Sequence, residues 1–205
     1  VIISRYVSFF KDFHNIKCNK TITWCHDTVL FGDLRQCHEY IDHFVCLTNW
    51  QKQHYLNKYP FVEESKFKLI NNGINVSDFN HIKTTKIRNK FAWTSDSCRG
   101  LLTLIRMWPS IIETIPDATL DISSYNDFPL HDCDQEILAF INHYPESIVH
   151  HGKLDTNELY ELMSRAEYWL YTTGFAETSC ITAMEMLMNN VICLYYPIAG
   201  LVDTL

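Results

Sequence analysis

Short apolar, β-branched runs that end in polar residues recur along this chain, separated by longer stretches with helical spacing. TITWCHD (21–27) and HFVCLTN (43–49) read as strands, and NWQKQHYLNKY (49–59) as a helix. That helix is expected to turn Trp50, His54 and Leu56 to Tyr59 toward the core and its lysines outward. KFKLINNGI (66–74) is a further strand, closed by Asn71, Asn72 and Gly73, a turn signal tolerant of positive φ. The polar, lysine-rich run NVSDFNHIKTTKIRNK then reads as a linker. Beyond it KFAWTS, DATLDISS, SIVHHGKL, EYWLYTT and VICLYY read as strands. Between them lie RGLLTLIRMWPSIIETI, an amphipathic helix interrupted by Pro109, then DQEILAFINHY, then DTNELYELMSRA with Asp155 or Thr156 as N-cap. Strands alternating with helices of this length predict βαβ units and mostly parallel sheets, which bind ligands at the carboxyl ends of their strands.

Composition narrows the class. At 205 residues, with 47% hydrophobic and 20% charged, the chain suits one substantial globular domain or two small ones. A net charge of -7 argues against a nucleic-acid partner, because phosphate binding wants a clustered basic surface. The eight cysteines form no CxxC pair, and several sit inside apolar runs, so reduced thiols and a cytoplasmic location are expected. No stretch approaches the ~20 apolar residues of a membrane span, and no signal peptide is expected. VIISRYVSFF reads as a strand already under way and IAGLVDTL as a loop running into a helix, so a fragment lacking both ends is expected.

The chemistry concentrates in GFAETSCITAMEM, where Glu177 and Glu185 stand close to a helix start. On a plain account, Thr182 to Glu185 forms a capping box, Ile181, Met184, Leu187 and Met188 make the buried face, and Glu177 is a solvated loop acid. The functional account starts from the free N–H groups of the helix start, which attract anions. Carboxylates are strong acceptors for sugar hydroxyls. If the helix covers the gap, the two acids lie about 12 Å apart along its axis. One could hold a hexose and the other a ribose, with a diphosphate against the amides of Thr178, Ser179, Cys180 and Ile181.

ETSCITAMEM resembles the E-x7-E element of retaining glycosyltransferases of the GT-B fold, the "group 1" family. Three further segments resemble that family in its own order: VCLTNWQKQHYLNKYPFVEESKFKLINNGINVSDF, WTSDSCRGLLTLIRMWPSIIETIPDATLDI and IVHHGKLDTNELYELMSRAEYWLY. The resemblance implies an α/β chain of two Rossmann-like domains, with parallel sheets flanked by helices and an incomplete amino-terminal domain. Residues 1–76 would be the trailing part of the acceptor-side domain, 77–87 a linker, and 88–205 the donor-binding domain.

It further implies transfer of a sugar from a UDP- or GDP-sugar to an acceptor hydroxyl, with retention and without a metal or other cofactor. The acceptor, whether glycan, lipid or protein, is left open. Glu177 would meet the transferred sugar, Glu185 the ribose hydroxyls, and Arg99 the diphosphate. Gly152, Lys153 and Leu154 would meet the nucleobase, and His26 would lie near the donor sugar as a catalytic group. A cation at a helix start is otherwise poorly placed, which points Arg99 toward a ligand. His150-His151 is a strand end, not a ligand set.

The sequence departs from the family in its phosphate loop, where AWTSDS holds no cation and leaves Arg99, with Arg106 two turns further on. It also replaces the usual loop glycines with ETSC. The alternatives are a non-catalytic nucleotide-sugar-binding or interaction module, and an isomerase or phosphorylase on the same fold.

Overall fold

Two compact units, each built on a parallel sheet, divide the chain, and a computed structural model describes residues 1–12, 17–80, 82, 84–125 and 129–205. The first unit comprises Val1–Gly73, Ala176–Cys180 and Ile198–Leu205; the second comprises Ile74–Phe175 and Ile181–Pro197. The leading segment of the first unit ends at Gly73. Residues 81 and 83 of the expected linker lie outside the described residues.

In the first unit, strand β1 (Ile2–Ser4) leads to helix α1 (Ser8–Asp12), so VIISRYVSFF is a short strand and a helical turn, not one long strand. Strands β2 (Ile22–Trp24) and β3 (His43–Cys46), helix α2 (Asn49–Lys58) and strand β4 (Phe67–Leu69) follow. The sheet runs β1-β2-β3-β4 with every pair parallel. Phe44, Val45 and Cys46 are all buried, as expected of a central strand covered on both faces.

Helix α2 turns a different face inward from the one its sequence predicts. Gln51 and Tyr55 are fully buried, whereas Trp50, His54, Leu56 and Tyr59 are only partly so. The reason is hydrogen bonding. Gln51 Oε1 accepts from Leu47 N at 2.7 Å, and its Nε2 donates to Cys25 O at 3.2 Å and Asp27 O at 2.9 Å. Tyr55 donates to Asp27 O at 2.6 Å. A fully satisfied buried amide costs little and can occupy a core position.

The second unit opens with a short 3-10 turn, Val76–Phe79, inside the run read as a linker. Its one aromatic, Phe79, is buried and stacks on Tyr160 with ring centroids 4.4 Å apart. Then come β5 (Lys90–Trp93), α3 (Leu101–Thr114), β6 (Thr119–Ile122), α4 (Asp134–His143) and β7 (Ile148–His150). Next are α5 (Thr156–Arg165), β8 (Tyr168–Tyr171), α6 (Ile181–Met188) and β9 (Ile192–Tyr195). Helix α7 (Leu201–Thr204) closes the chain within the first unit.

Helix α3 runs through Pro109 without a break, contrary to the interruption expected. Leu101, Leu104, Ile105 and Trp108 are fully buried along its inner face, and this packing outweighs a proline cost of about 3 kcal/mol. Of the two N-cap candidates, Asp155 caps α5, in a reciprocal capping box with Glu158.

The five strands are parallel in the order β7-β6-β5-β8-β9, which is the doubly wound 3-2-1-4-5 arrangement. The chain winds one way from β5 through β7 and the other way from β8 to β9. The carboxyl ends of β5 and β8 therefore flank the topological switch point, where such sheets bind ligands.

Candidate functional site

The switch point is built from the loop after β5, Thr94 to Gly100, and the loop after β8, Thr172 to Phe175. Asp96 caps a 3-10 turn over Ser97–Arg99, its Oδ1 accepting from Cys98 N at 3.0 Å. Gly100 follows at φ +118°, in the left-handed region. A Cβ there would lie 2.4 Å from Thr172 O, and Thr172 Oγ1 donates to Gly100 O at 2.8 Å. Only glycine allows the start of α3 to sit this closely against the end of β8. The result fixes Arg99, whose guanidinium carbon stands 4.4 Å from the centroid of the Phe175 ring. The ring face offsets the poor placement of a cation near a helix start.

At the end of β7, Gly152 has φ +69° and its carbonyl accepts from Ser123 Oγ at 3.0 Å and Ser124 N at 3.2 Å. Those bonds fasten the Gly152 loop to the end of β6. Lys153 is exposed and Leu154 half-buried.

Glu185 stands on α6, half-buried, and its Oε1 accepts the Tyr160 hydroxyl of α5 at 3.0 Å. Burial raises the Glu185 carboxyl above the ordinary glutamate range, and the Tyr160 hydrogen bond works against that rise. The Tyr160 phenol is pushed up to about 12 by burial and by the Glu185 charge. These facts overturn the capping-box account: α6 begins at Ile181, so Thr182 is already inside the helix. The same start overturns the helix assumed across the Glu177–Glu185 gap. The inner face of α6 also differs, being Thr182, Ala183, Met186 and Asn189, while Ile181, Leu187 and Met188 are exposed. Apolar spacing misled because Thr182 and Asn189 take positions on the inner face.

The segment Ala176–Cys180 belongs to the first unit. Thr178 Oγ1 donates to His26 O at 2.7 Å, just past β2, and Thr48 Oγ1, the N-cap of α2, donates to Thr178 O at 2.8 Å. Gly200 N donates to Glu177 O at 2.7 Å. A Cβ on Gly200 would approach Thr178 O to 2.4 Å, and the preceding Ala199 holds a positive φ of 52°. Glu177 is only 5% exposed, so it is no solvated loop acid. Ser179 Oγ is buried with no hydrogen-bond partner among the described residues. His26 is half-buried, its ring stacked near Trp24 with centroids 6.1 Å apart. The first unit thus brings His26 and Glu177 to the carboxyl ends of β2 and β3 through the hydroxyls of Thr48 and Thr178 and the amide of Gly200.

One grouping escapes sequence reasoning. Asp96, Cys98 and His131 each place a metal-ligating atom within 4.8 Å of the others. Partial burial and the neighbouring Asp96 carboxylate push the Cys98 thiol up to about 11, which makes it a poor nucleophile at neutral pH. The only trace in the sequence is the paired spacing Asp96-x-Cys98 and His131-x-Cys133. Tyr160, now seen against Glu185, was legible only as a helix residue.

No protein-family model matches the chain, and no curated protein matches it in sequence. Solved structures do match it in shape. The catalytic domain of starch synthase IV from Arabidopsis thaliana, bound to ADP and acarbose, superposes with a TM-score of 0.70 at 12% identity, over 98% of this chain and 57% of that one. HepE of Anabaena, in complex with UDP and glucose, gives 0.70 at 13% identity over 90% and 55%. The pneumococcal O-GlcNAc transferase GtfA, in complex with UDP and GlcNAc, gives 0.67 at 14% identity over 100% and 44%. The chain therefore has the α/β, parallel-sheet GT-B fold of these glycosyltransferases, and it spans about half of their length.

Proposed function

We propose that the chain is part of a retaining glycosyltransferase that transfers a sugar from a UDP- or GDP-sugar to an acceptor hydroxyl. The observation that carries this reading is Arg99, fixed on the Phe175 ring at the switch point of a 3-2-1-4-5 sheet. In this reading Arg99 meets the donor diphosphate, and preorganised amides of Thr178, Ser179, Cys180 and Ile181 share its charge. Glu185, held by Tyr160, accepts from the ribose hydroxyls. The main chain of Gly152, Lys153 and Leu154 faces the nucleobase. Glu177 and His26 serve the transferred sugar, with no resident metal or cofactor needed for that step.

A non-catalytic nucleotide-sugar-binding module is the second reading, favoured by Asp96 standing three residues before Arg99 in a loop where the family carries two cations. Product analysis with and without acceptor separates the two. For donor binding itself, Arg99→Ala should weaken a nucleoside diphosphate by about 1.5–3 kcal/mol, the scale of a charge-assisted hydrogen bond, and leave the nucleoside nearly unaffected. Equal losses for both would remove Arg99 from the phosphate site.

A further inference from the structure

The cluster at Asp96, Cys98 and His131 has the chemistry of a metal site and stands on elements unrelated to its neighbours in sequence. Asp96 and Cys98 come from the loop after β5, and His131 from the segment before α4. The mixture of one carboxylate, one thiol and one imidazole is what a borderline-soft divalent cation such as Zn²⁺ takes. His131 Nε2 pairs with Asp96 Oδ1 at 2.8 Å, and the same Oδ1 accepts from Cys98 N at 3.0 Å, so the carboxylate, the imidazole and the turn that carries Cys98 converge on one point.

The ligands are also held in place. Asp134, fully buried, accepts from Leu130 N at 2.6 Å and His131 N at 2.7 Å through Oδ2, and from Ser97 Oγ at 2.5 Å through Oδ1. One carboxylate therefore ties the main chain at His131 to the turn that carries Cys98. Such outer hydrogen bonding is what orients metal ligands in known sites. With Zn–S near 2.3 Å and Zn–N or Zn–O near 2.0–2.2 Å, tetrahedral ligands stand about 3.3–3.6 Å apart. All three atoms already lie within 4.8 Å of one another, so the site needs only a small adjustment, the Asp96–His131 pair opening from 2.8 Å and the exposed Cys98 moving in.

We infer that Asp96, Cys98 and His131 form a binding site for one divalent transition-metal ion of the Zn²⁺ class. The inference concerns metal binding alone and does not rest on the donor-site reading.

The test is titration of the full chain, reduced and metal-free, with Co²⁺, followed by competition with Zn²⁺. The expected result is saturation at one equivalent, a thiolate-to-cobalt charge-transfer band in the near ultraviolet, and loss of that band when Zn²⁺ is added. Cys98→Ser should abolish the band, and His131→Ala should weaken affinity at least about tenfold. Cys18→Ser, which changes another exposed thiol, should alter neither. Circular dichroism of each variant confirms folding, and Cys98→Ser is exposed enough to keep it. Absence of saturable binding at one equivalent, or a charge-transfer band that survives Cys98→Ser, would overturn the site.

Discussion

Replacing Tyr160 by Phe isolates a single hydrogen bond to Glu185. The ring stays, so its stacking on Phe79 and its burial are kept; only the hydroxyl that donates to Glu185 Oε1 at 3.0 Å is lost. A hydrogen bond to a charged acceptor contributes about 1.5–3 kcal/mol, and the half-exposure of Glu185 brings the expected loss to about 1–2 kcal/mol. The pH dependence follows from the Glu185 carboxyl. Burial raises its folded pKa above the unfolded value, so ionising it lowers stability as pH rises through the folded pKa. The Tyr160 hydroxyl offsets that loss only while the carboxylate is charged. Tyr160→Phe should therefore be most costly at about pH 8 and cost only about 0.5–1 kcal/mol at about pH 4, where Glu185 is protonated. Urea denaturation of wild type, Tyr160→Phe, Glu185→Gln and the double variant at both pH values yields the coupling energy directly. A coupling below about 0.3 kcal/mol at the higher pH, or one that does not fall with acidification, would refute this reasoning.

Two further outcomes follow from the segment that carries Glu177. Gly200→Ala places a methyl group 2.4 Å from Thr178 O, so denaturation should show a loss of about 1–3 kcal/mol; an unchanged midpoint would mean that the close packing is absent in solution. Glu177→Gln should leave nucleoside diphosphate affinity near wild type but lower affinity for, or turnover of, the intact nucleotide sugar, as calorimetry and product assays would register. Parallel losses for both ligands would detach Glu177 from the sugar.

Strands were the legible part of this fold. Runs such as FVC in β3 and FAW in β5 are apolar at every position because both faces of a central parallel strand are covered, and they stand out from the polar chain around them. Helix faces were less legible where polar residues hold core positions. Gln51 makes three hydrogen bonds and sits deeper than Trp50, while Thr182 and Asn189 displace Ile181 and Leu187 from the inner face of α6. Pro109 was read as a breaker because the sequence does not show how much of α3 is buried around it. At the candidate site, Arg99 and Glu185 were visible as residues, but their partners Phe175 and Tyr160 depend on tertiary placement. Asp96, Cys98 and His131 meet only because β5 and β6 are adjacent in the sheet.

The central claim is that this chain binds a nucleotide sugar through its ribose and diphosphate, and calorimetric titration tests it most directly. UDP, GDP, their 2′-deoxy forms and the corresponding sugars would each be titrated into wild type and Glu185→Gln. The account predicts saturable binding of one nucleotide series to wild type. It also predicts a loss of about 1–2 kcal/mol for the ribonucleotide in Glu185→Gln, with little change for the 2′-deoxy form, whose partner hydroxyl is already gone. Absence of binding by either series, or equal losses for ribo- and deoxynucleotides, would contradict it.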